Sequence, residues 1–227
     1  MSLRETYSNI NATINSVARS AGRSPNDITI IAVSKTFPVS IVQAAIDDGI
    51  TMLGENKIQE AKEKKNKLHG DFSLHMIGHL QSNKAKDAVA IFDVIHSIDK
   101  ESTAQKVDKA ASQIEKVQKI LLQVNVTGEA TKSGVTPMEA YSLTESLLSY
   151  THLELLGLMT MAPYTSDDSI IRKCFNDTRE LRDKLNETFS INLHELSMGM
   201  SSDYEIAIEE GATMVRIGSA IFGSRTY

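Results

Sequence analysis

Short apolar runs rich in β-branched residues alternate with longer helical patterns along almost the whole chain, and this alternation constrains the fold more than any other feature. A strand covered on both faces reads as a continuous apolar run, and strands separated by helices pair in parallel because each crossover carries a helix. Eight candidate strands follow: Ile28–Val33, Met52–Gly54, Leu74–Ile77, Val94–Ser97, Ile120–Val126, Leu153–Met159, Glu195–Met198 and Met214–Ile217. Between them lie helix candidates at Val39–Asp48, Ile58–Leu68, Lys100–Lys116, Met138–Leu148, Asp168–Thr188 and Asp203–Glu209. A further helix, about residues 2–18, carries Leu3, Tyr7, Ile10, Ile14 and Val17 at helical spacing and is expected to cover one face. Eight units in 227 residues leave about 28 each, enough for a compact barrel with short loops. An open doubly wound sheet is the alternative, but the chain has neither a G-x-G-x-x-G turn nor a Walker A loop. With 4 Pro and 12 Gly scattered as turn punctuation, no linker stands out. The expectation is an α/β fold, a single-domain (β/α)8 TIM-type barrel over residues 1–227, with the extra N-terminal helix ahead of a barrel from about residue 28.

Charge narrows the partners. Lys and Arg number 24 against 29 Asp and Glu, a net charge of −5 that gives no general attraction to nucleic acid or to an anionic membrane. The N-terminus carries an acid and lacks an apolar run, and no stretch approaches a membrane span, so a soluble cytoplasmic protein is expected. The lone Cys174 excludes an internal disulfide and, in the helical-looking Ile170–Phe175 segment, reads as a buried packing residue.

The chemistry concentrates at the ends of three strands. Leu196-Ser-Met-Gly-Met-Ser-Ser-Asp203 and Met214-Val-Arg-Ile-Gly-Ser219 are apolar runs that end in small residues where a helix is expected to open. Exposed N–H groups at such turns attract a phosphate, which Gly and Ser let approach closely. The small residues there, Gly199, Ser201 and Ser202 in the first run and Gly218 and Ser219 in the second, are therefore candidates for a phosphate cradle. Strand one ends in Lys35 within Ile30-Ile-Ala-Val-Ser-Lys-Thr-Phe-Pro38, and alternation puts Ile31, Val33 and Lys35 on one face. Standing alone, such a lysine reads as one that snorkels to solvent. In a barrel, strands one and eight are neighbours, so Lys35 and the two turns converge at the C-terminal rim, where such barrels build their sites. A partly desolvated lysine beside a phosphate site suits an imine with pyridoxal 5′-phosphate (PLP) or with a phosphorylated sugar aldehyde. Arg216 shares the parity of Met214 and Gly218. It reads as a rim salt bridge in isolation, and between the turns and Lys35 as a permanently charged donor facing a pyridine nitrogen.

Several motifs in one order add a resemblance. They are Ala32-Val-Ser-Lys-Thr36, Gly54-Glu-Asn56, His75-Met-Ile-Gly78 with Leu80-Gln-Ser-Asn-Lys84, Val124-Asn-Val126 with Lys132-Ser-Gly134, Gly157-Leu-Met159, Leu196-Ser-Met-Gly-Met-Ser201, and Val215-Arg-Ile-Gly218 with Ile221-Phe-Gly223. From Ile30 to Tyr227 the chain closely resembles the pyridoxal-phosphate homeostasis proteins, PLP-binding barrels similar to the N-terminal domain of bacterial alanine racemase. The resemblance implies that Lys35 holds PLP as an internal aldimine, that Arg216 faces the ring nitrogen, that Ser201, Gly218 and Ser219 bind the phosphate, and that Asn56, His75 and Ser197 lie nearby. It also makes Lys132 a candidate second amine, where position alone gives a solvated lysine.

The implied function is to buffer and deliver PLP, in vitamin B6 homeostasis, to apo PLP-dependent enzymes without substantial turnover. The alternatives are a PLP-dependent amino-acid racemase and a Schiff-base aldolase on a phosphorylated sugar. Racemisation needs a base on each face of Cα, and similar racemases take a tyrosine from an additional β-domain of a partner subunit. The chain ends at Tyr227, just past the eighth unit, so a carrier and a monomer are expected. His75, His79 and Glu55 lack the spacing of a metal site, and none is expected. Met159, Met161, Met198 and Met200 read as core and rim packing, and the charged run from Glu60 to Lys67 as a solvated helix face.

Overall fold

The computed structural model describes residues 2–129 and 132–223, so the end of the chain, with Tyr227, lies outside the described residues. Eight parallel strands close into a barrel in sequence order: β1 (Thr29–Val33), β2 (Met52–Glu55), β3 (Ser73–Met76), β4 (Val94–Ile98), β5 (Gln118–Gln123), β6 (Leu153–Met159), β7 (Glu195–Met200) and β8 (Met214–Ile217). The barrel closes where β8 pairs with β1, with Ile31 opposite Arg216 and Ala32 opposite Ile217. Before β1 stands α1 (Leu3–Ser20). Outside the strands run α2 (Val39–Asp47), α3 (Ile58–Lys65), α4 (Ala85–Ile91), α5 (Glu101–Ser112), α6 (Pro137–Leu148), α7 (Asp168–Phe189), α8 (Tyr204–Glu209) and α9 (Ser219–Phe222). Among the described residues, no helix is long and apolar enough to cross a membrane.

Alternation along each strand makes two cores. Inward residues Ile31, Leu121, Met159 and Met214 pack together in the barrel, with Met52, Leu156 and Met161 against them. Outward residues such as Ala32, Leu53, Leu74, Met76, Ile95, Ile120, Leu196 and Val215 join the helices in one continuous layer. Met159 thus fills the interior as the sequence suggests, Met198 packs on the helix side, and Met200 lies exposed at the rim. Cys174 is buried in the helix layer, and burial pushes its thiol up to about 11.

Helix α1 starts from a capping box, in which Ser2 Oγ accepts from the Glu5 N–H and the Glu5 carboxylate accepts from the Ser2 N–H. Its buried stripe of Ile10, Ile14 and Ala18 faces α8 and α9. Those two helices are only six and four residues long. Helices so short depend on tertiary packing, which α1 supplies.

Three local expectations are corrected. The sequence reading continues β5 to Val126, but the strand ends at Gln123. There the Asn125 side chain bends the loop, its Oδ1 accepting from Gly128 N–H and its Nδ2 donating to Glu129 O. Between β3 and β4 the chain forms α4, which has no counterpart among the helix candidates. The run from Glu60 to Lys67 is not a fully solvated face: the Lys64 ammonium is buried, donating to Glu55 Oε1 at 2.6 Å, Ser34 O at 2.6 Å and Glu60 Oε1 at 2.7 Å.

One glycine fixes how closely β6 and β7 approach. A Cβ on Gly157 would lie 1.9 Å from the Glu195 carbonyl oxygen, its register partner's. Gly157→Ala is therefore expected to cost at least about 1–3 kcal/mol, read as a fall in the urea midpoint at unchanged m. A change within about 0.5 kcal/mol, the range of an ordinary surface substitution, would refute that approach of the two strands.

Candidate functional site

The C-terminal mouth gathers most of the residues that the sequence singles out. Lys35 leaves β1 in a turn, two residues past Val33, and is partly exposed. The β8 turn stands beside it. A Cβ on Gly218 would lie 3.3 Å from Val33 Cβ, so the glycine lets the two backbones close up. The β7 turn meets the β8 turn directly, as Gly218 N–H donates to Ser201 Oγ at 3.3 Å. Within the β7 turn, Gly199 adopts φ +90°, and a Cβ there would sit 2.6 Å from Ala207 Cβ. Asp203 Oδ1 accepts from Met200 N–H at 2.6 Å and holds that turn closed. Ser219 is exposed at the first position of α9. Since α8 and α9 are so short, attraction for an anion at these turns comes from their local N–H and hydroxyl groups more than from a macrodipole.

Inside the barrel the inward parity of β3, β4, β7 and β8 builds a polar chain. Arg216 Nη1 donates to Ser197 O and to Ser197 Oγ, both at 2.7 Å, and Nη2 donates to Thr160 O at 2.8 Å. His96 Nδ1 lies 2.9 Å from Ser197 Oγ, and His96 Nε2 lies 2.8 Å from His75 Nδ1. Arg216, Ser197 and His75 are thus brought together, with His96 as the connecting group. Burial pushes the Arg216 guanidinium down to about 10, with Asp203 acting in the opposite sense, so it remains a cation at neutral pH. It lowers His75 to about 4 and His96 well below its usual value, the neighbouring His75 and Arg216 reinforcing the shift at His96. Both imidazoles are neutral at pH 7. One ring nitrogen of each then donates and the other accepts, so the chain can run in either direction through Ser197.

Sequence reasoning passed over His96, Thr160 and Lys64. The parity of Val94-Ile-His-Ser-Ile98 marks His96 as inward, which is the signal that could have found it. Asn56 follows β2 with the inward parity of Met52 and Gly54 and borders a cavity of about 330 Å³ with His79, Gln81 and Lys84. Lys132 is not simply solvated: its Nζ donates to Glu129 Oε1 at 2.8 Å and to Met161 O at 3.4 Å, tying the β5–α6 loop to the end of β6. His79 is half-exposed and 3.8 Å from Asp99, while His75 points into the barrel and Glu55 into the helix layer, so the three diverge.

The family described as alanine racemase, N-terminal domain, matches residues 7–226. The pyridoxal phosphate homeostasis protein of Aquifex aeolicus is 40% identical over the whole of both chains. A structure of PipY from Synechococcus elongatus, with PLP bound, superposes with a TM-score of 0.87 at 33% identity, covering 98% of this chain and 100% of that one. An alanine racemase of Clostridium difficile shares the fold, with a TM-score of 0.80 at 17% identity, over 99% of this chain and 57% of that one.

Proposed function

The chain belongs to the alanine racemase N-terminal domain family and, within it, to the pyridoxal phosphate homeostasis proteins, and from that premise we propose that it binds PLP through Lys35 and buffers and delivers the cofactor without substantial turnover of its own. The observation that carries this reading is the convergence of three groups at one mouth. Lys35 leaves β1 beside the touching β7 and β8 turns, and Arg216 is fixed inward from β8 between them. These residues fit the group. Ser201 and Ser219 offer hydroxyl and N–H donors to a phosphate, and Gly218 would add its N–H on releasing Ser201 Oγ. Arg216 presents donors only, so a ring nitrogen facing it stays unprotonated. Ser197 holds Arg216 directly, and His75 supports it through His96, while Asn56 directly follows the end of β2.

PLP supplies an aldehyde carbon that a neutral lysine amine attacks, with loss of one water. Beside Arg216 the ring is a weak electron sink, which favours holding the cofactor over carbanion chemistry. We further propose apo PLP-dependent enzymes as recipients, a monomeric chain, and a cytoplasmic location, for which the single cysteine is suited to a reducing compartment.

Incubating the purified protein with PLP, reducing with borohydride and mapping the peptides is expected to place the added mass on Lys35. No uptake, or a label confined to other lysines, would remove the reading. Racemisation or transamination of a single-enantiomer amino acid faster than by free PLP would overturn the carrier in favour of an enzyme.

A further inference from the structure

We propose that Glu60 and Lys64 of α3 are positioning residues for Lys35: they clamp the two peptide groups that flank it and so set how readily Lys35 bonds to its ligand. Ser34, Lys35, Thr36 and Phe37 form a β-turn closed by Phe37 N–H donating to Ser34 O at 3.2 Å. Lys35 occupies the second position. Thr36, at the third, has φ +69°, a left-handed conformation that favours glycine there and strains a β-branched residue. Such strain persists only where the surroundings impose it.

The imposing contacts come from α3 and β2. Lys64 Nζ donates to Ser34 O on one side of Lys35, and Thr36 N–H donates to Glu60 Oε1 at 2.5 Å on the other. Lys64 also donates to Glu60 Oε1, so Ser34, Lys64, Glu60 and Thr36 close a ring of charge-assisted bonds around the backbone of Lys35. Glu55 braces it from β2, its Oε1 accepting from both Lys64 Nζ and Ser34 Oγ at 2.6 Å. Glu55 and Lys64 meet on the helix side of the barrel wall, whereas Arg216, Ser197 and the two histidines lie inside. The clamp therefore acts on Lys35 through its backbone. The far end of the turn is tied down separately, by Phe37 packing on Phe222 of α9 with ring centroids 5.0 Å apart.

This inference rests on the reading that Lys35 bonds PLP, and the experiment separates the two. Glu60→Met removes the acceptor from Thr36 N–H, whereas Glu60→Gln removes the charge and keeps an acceptor. Glu60 is partly exposed, so both variants are expected to fold. Without ligand, amide exchange at Thr36 is expected to quicken about tenfold in Glu60→Met, as suits the loss of one charge-assisted hydrogen bond. Apparent affinity for PLP should fall by a similar factor, and Glu60→Gln should recover most of both effects. Pyridoxamine 5′-phosphate has the ring and phosphate but carries an amine where PLP has its aldehyde, and its affinity should not change. Equal losses for the two ligands, or unaltered PLP binding with faster Thr36 exchange, would overturn the clamp alone. A parent protein that leaves Lys35 unmodified would overturn the functional reading and the clamp with it.

Discussion

Lys64→Ala is expected to destabilise the protein by about 3–5 kcal/mol, the range for removing one partner of a buried ion pair. Lys64 and Glu55 side chains are 5% and 0% exposed, so water cannot take the place of the ammonium. Its loss deprives three acceptors at once: Ser34 O, Glu55 Oε1 and Glu60 Oε1. Glu55 is the exposed point of the arrangement in energetic terms. Its Oε2 already lacks a hydrogen-bond partner among the described residues, and burial pushes its carboxyl above the usual range despite the Lys64 and Ser34 bonds that act against it. Without Lys64 this carboxyl can respond by binding a proton, which limits the loss. Pairing Lys64→Met with Glu55→Gln should therefore recover part of the stability that Lys64→Met alone removes. Chemical denaturation of the four proteins at unchanged m measures this, and a Lys64→Ala loss below about 1 kcal/mol, the scale of an exposed ion pair, would mean that Lys64 is solvated.

The same lysine shows where the sequence stops being legible. The alternation of β-branched runs and helical patterns is local information, and it located all eight strands, because a strand covered on both faces keeps its apolar run even where single polar residues such as His75, His96, Ser197 and Arg216 point inward. Lys35, Arg216 and the two turns were legible because each sits at the end of such a strand, where parity assigns direction. Lys64 stands in a run of charges whose local pattern is that of a solvated face. Its spacing from Ala61 and Leu68 puts it on the face they bury, but that a lysine is accepted there follows from what packs across from it, the end of β1 and Glu55 of β2. His96 was hidden for a related reason: parity marks it inward, but its partners come from β3 and β7, across the barrel. The short, alanine-rich α4 escaped because seven residues give too little periodicity to read.

Acidification is expected to destabilise the ligand-free protein through its buried histidines. His75 is held at about 4 against 6.5 for a free imidazole, so between those values the unfolded chain binds a proton that the folded chain refuses. Stability is then full above about pH 6.5 and declines as pH falls toward 4, by roughly 3 kcal/mol for a shift of this size at 1.36 kcal/mol per unit. His96 is shifted in the same direction and adds to the loss. Glu55 and Asp203 pull the other way, since burial raises both and the folded protein binds their protons more tightly than the unfolded chain does. The net slope therefore mixes opposing groups, and the informative quantity is its difference from a variant in which both histidines are glutamine. Those carboxyls are common to the two proteins and largely cancel. Denaturation midpoints from pH 7 to 4.5 should fall more steeply in the parent than in the His75→Gln, His96→Gln variant, whatever the variant's stability at pH 7. Parallel slopes would show that the two rings accept protons in the folded barrel. A chain of neutral imidazoles could not then support Arg216, because a charged ring beside Ser197 would repel the guanidinium it is meant to orient.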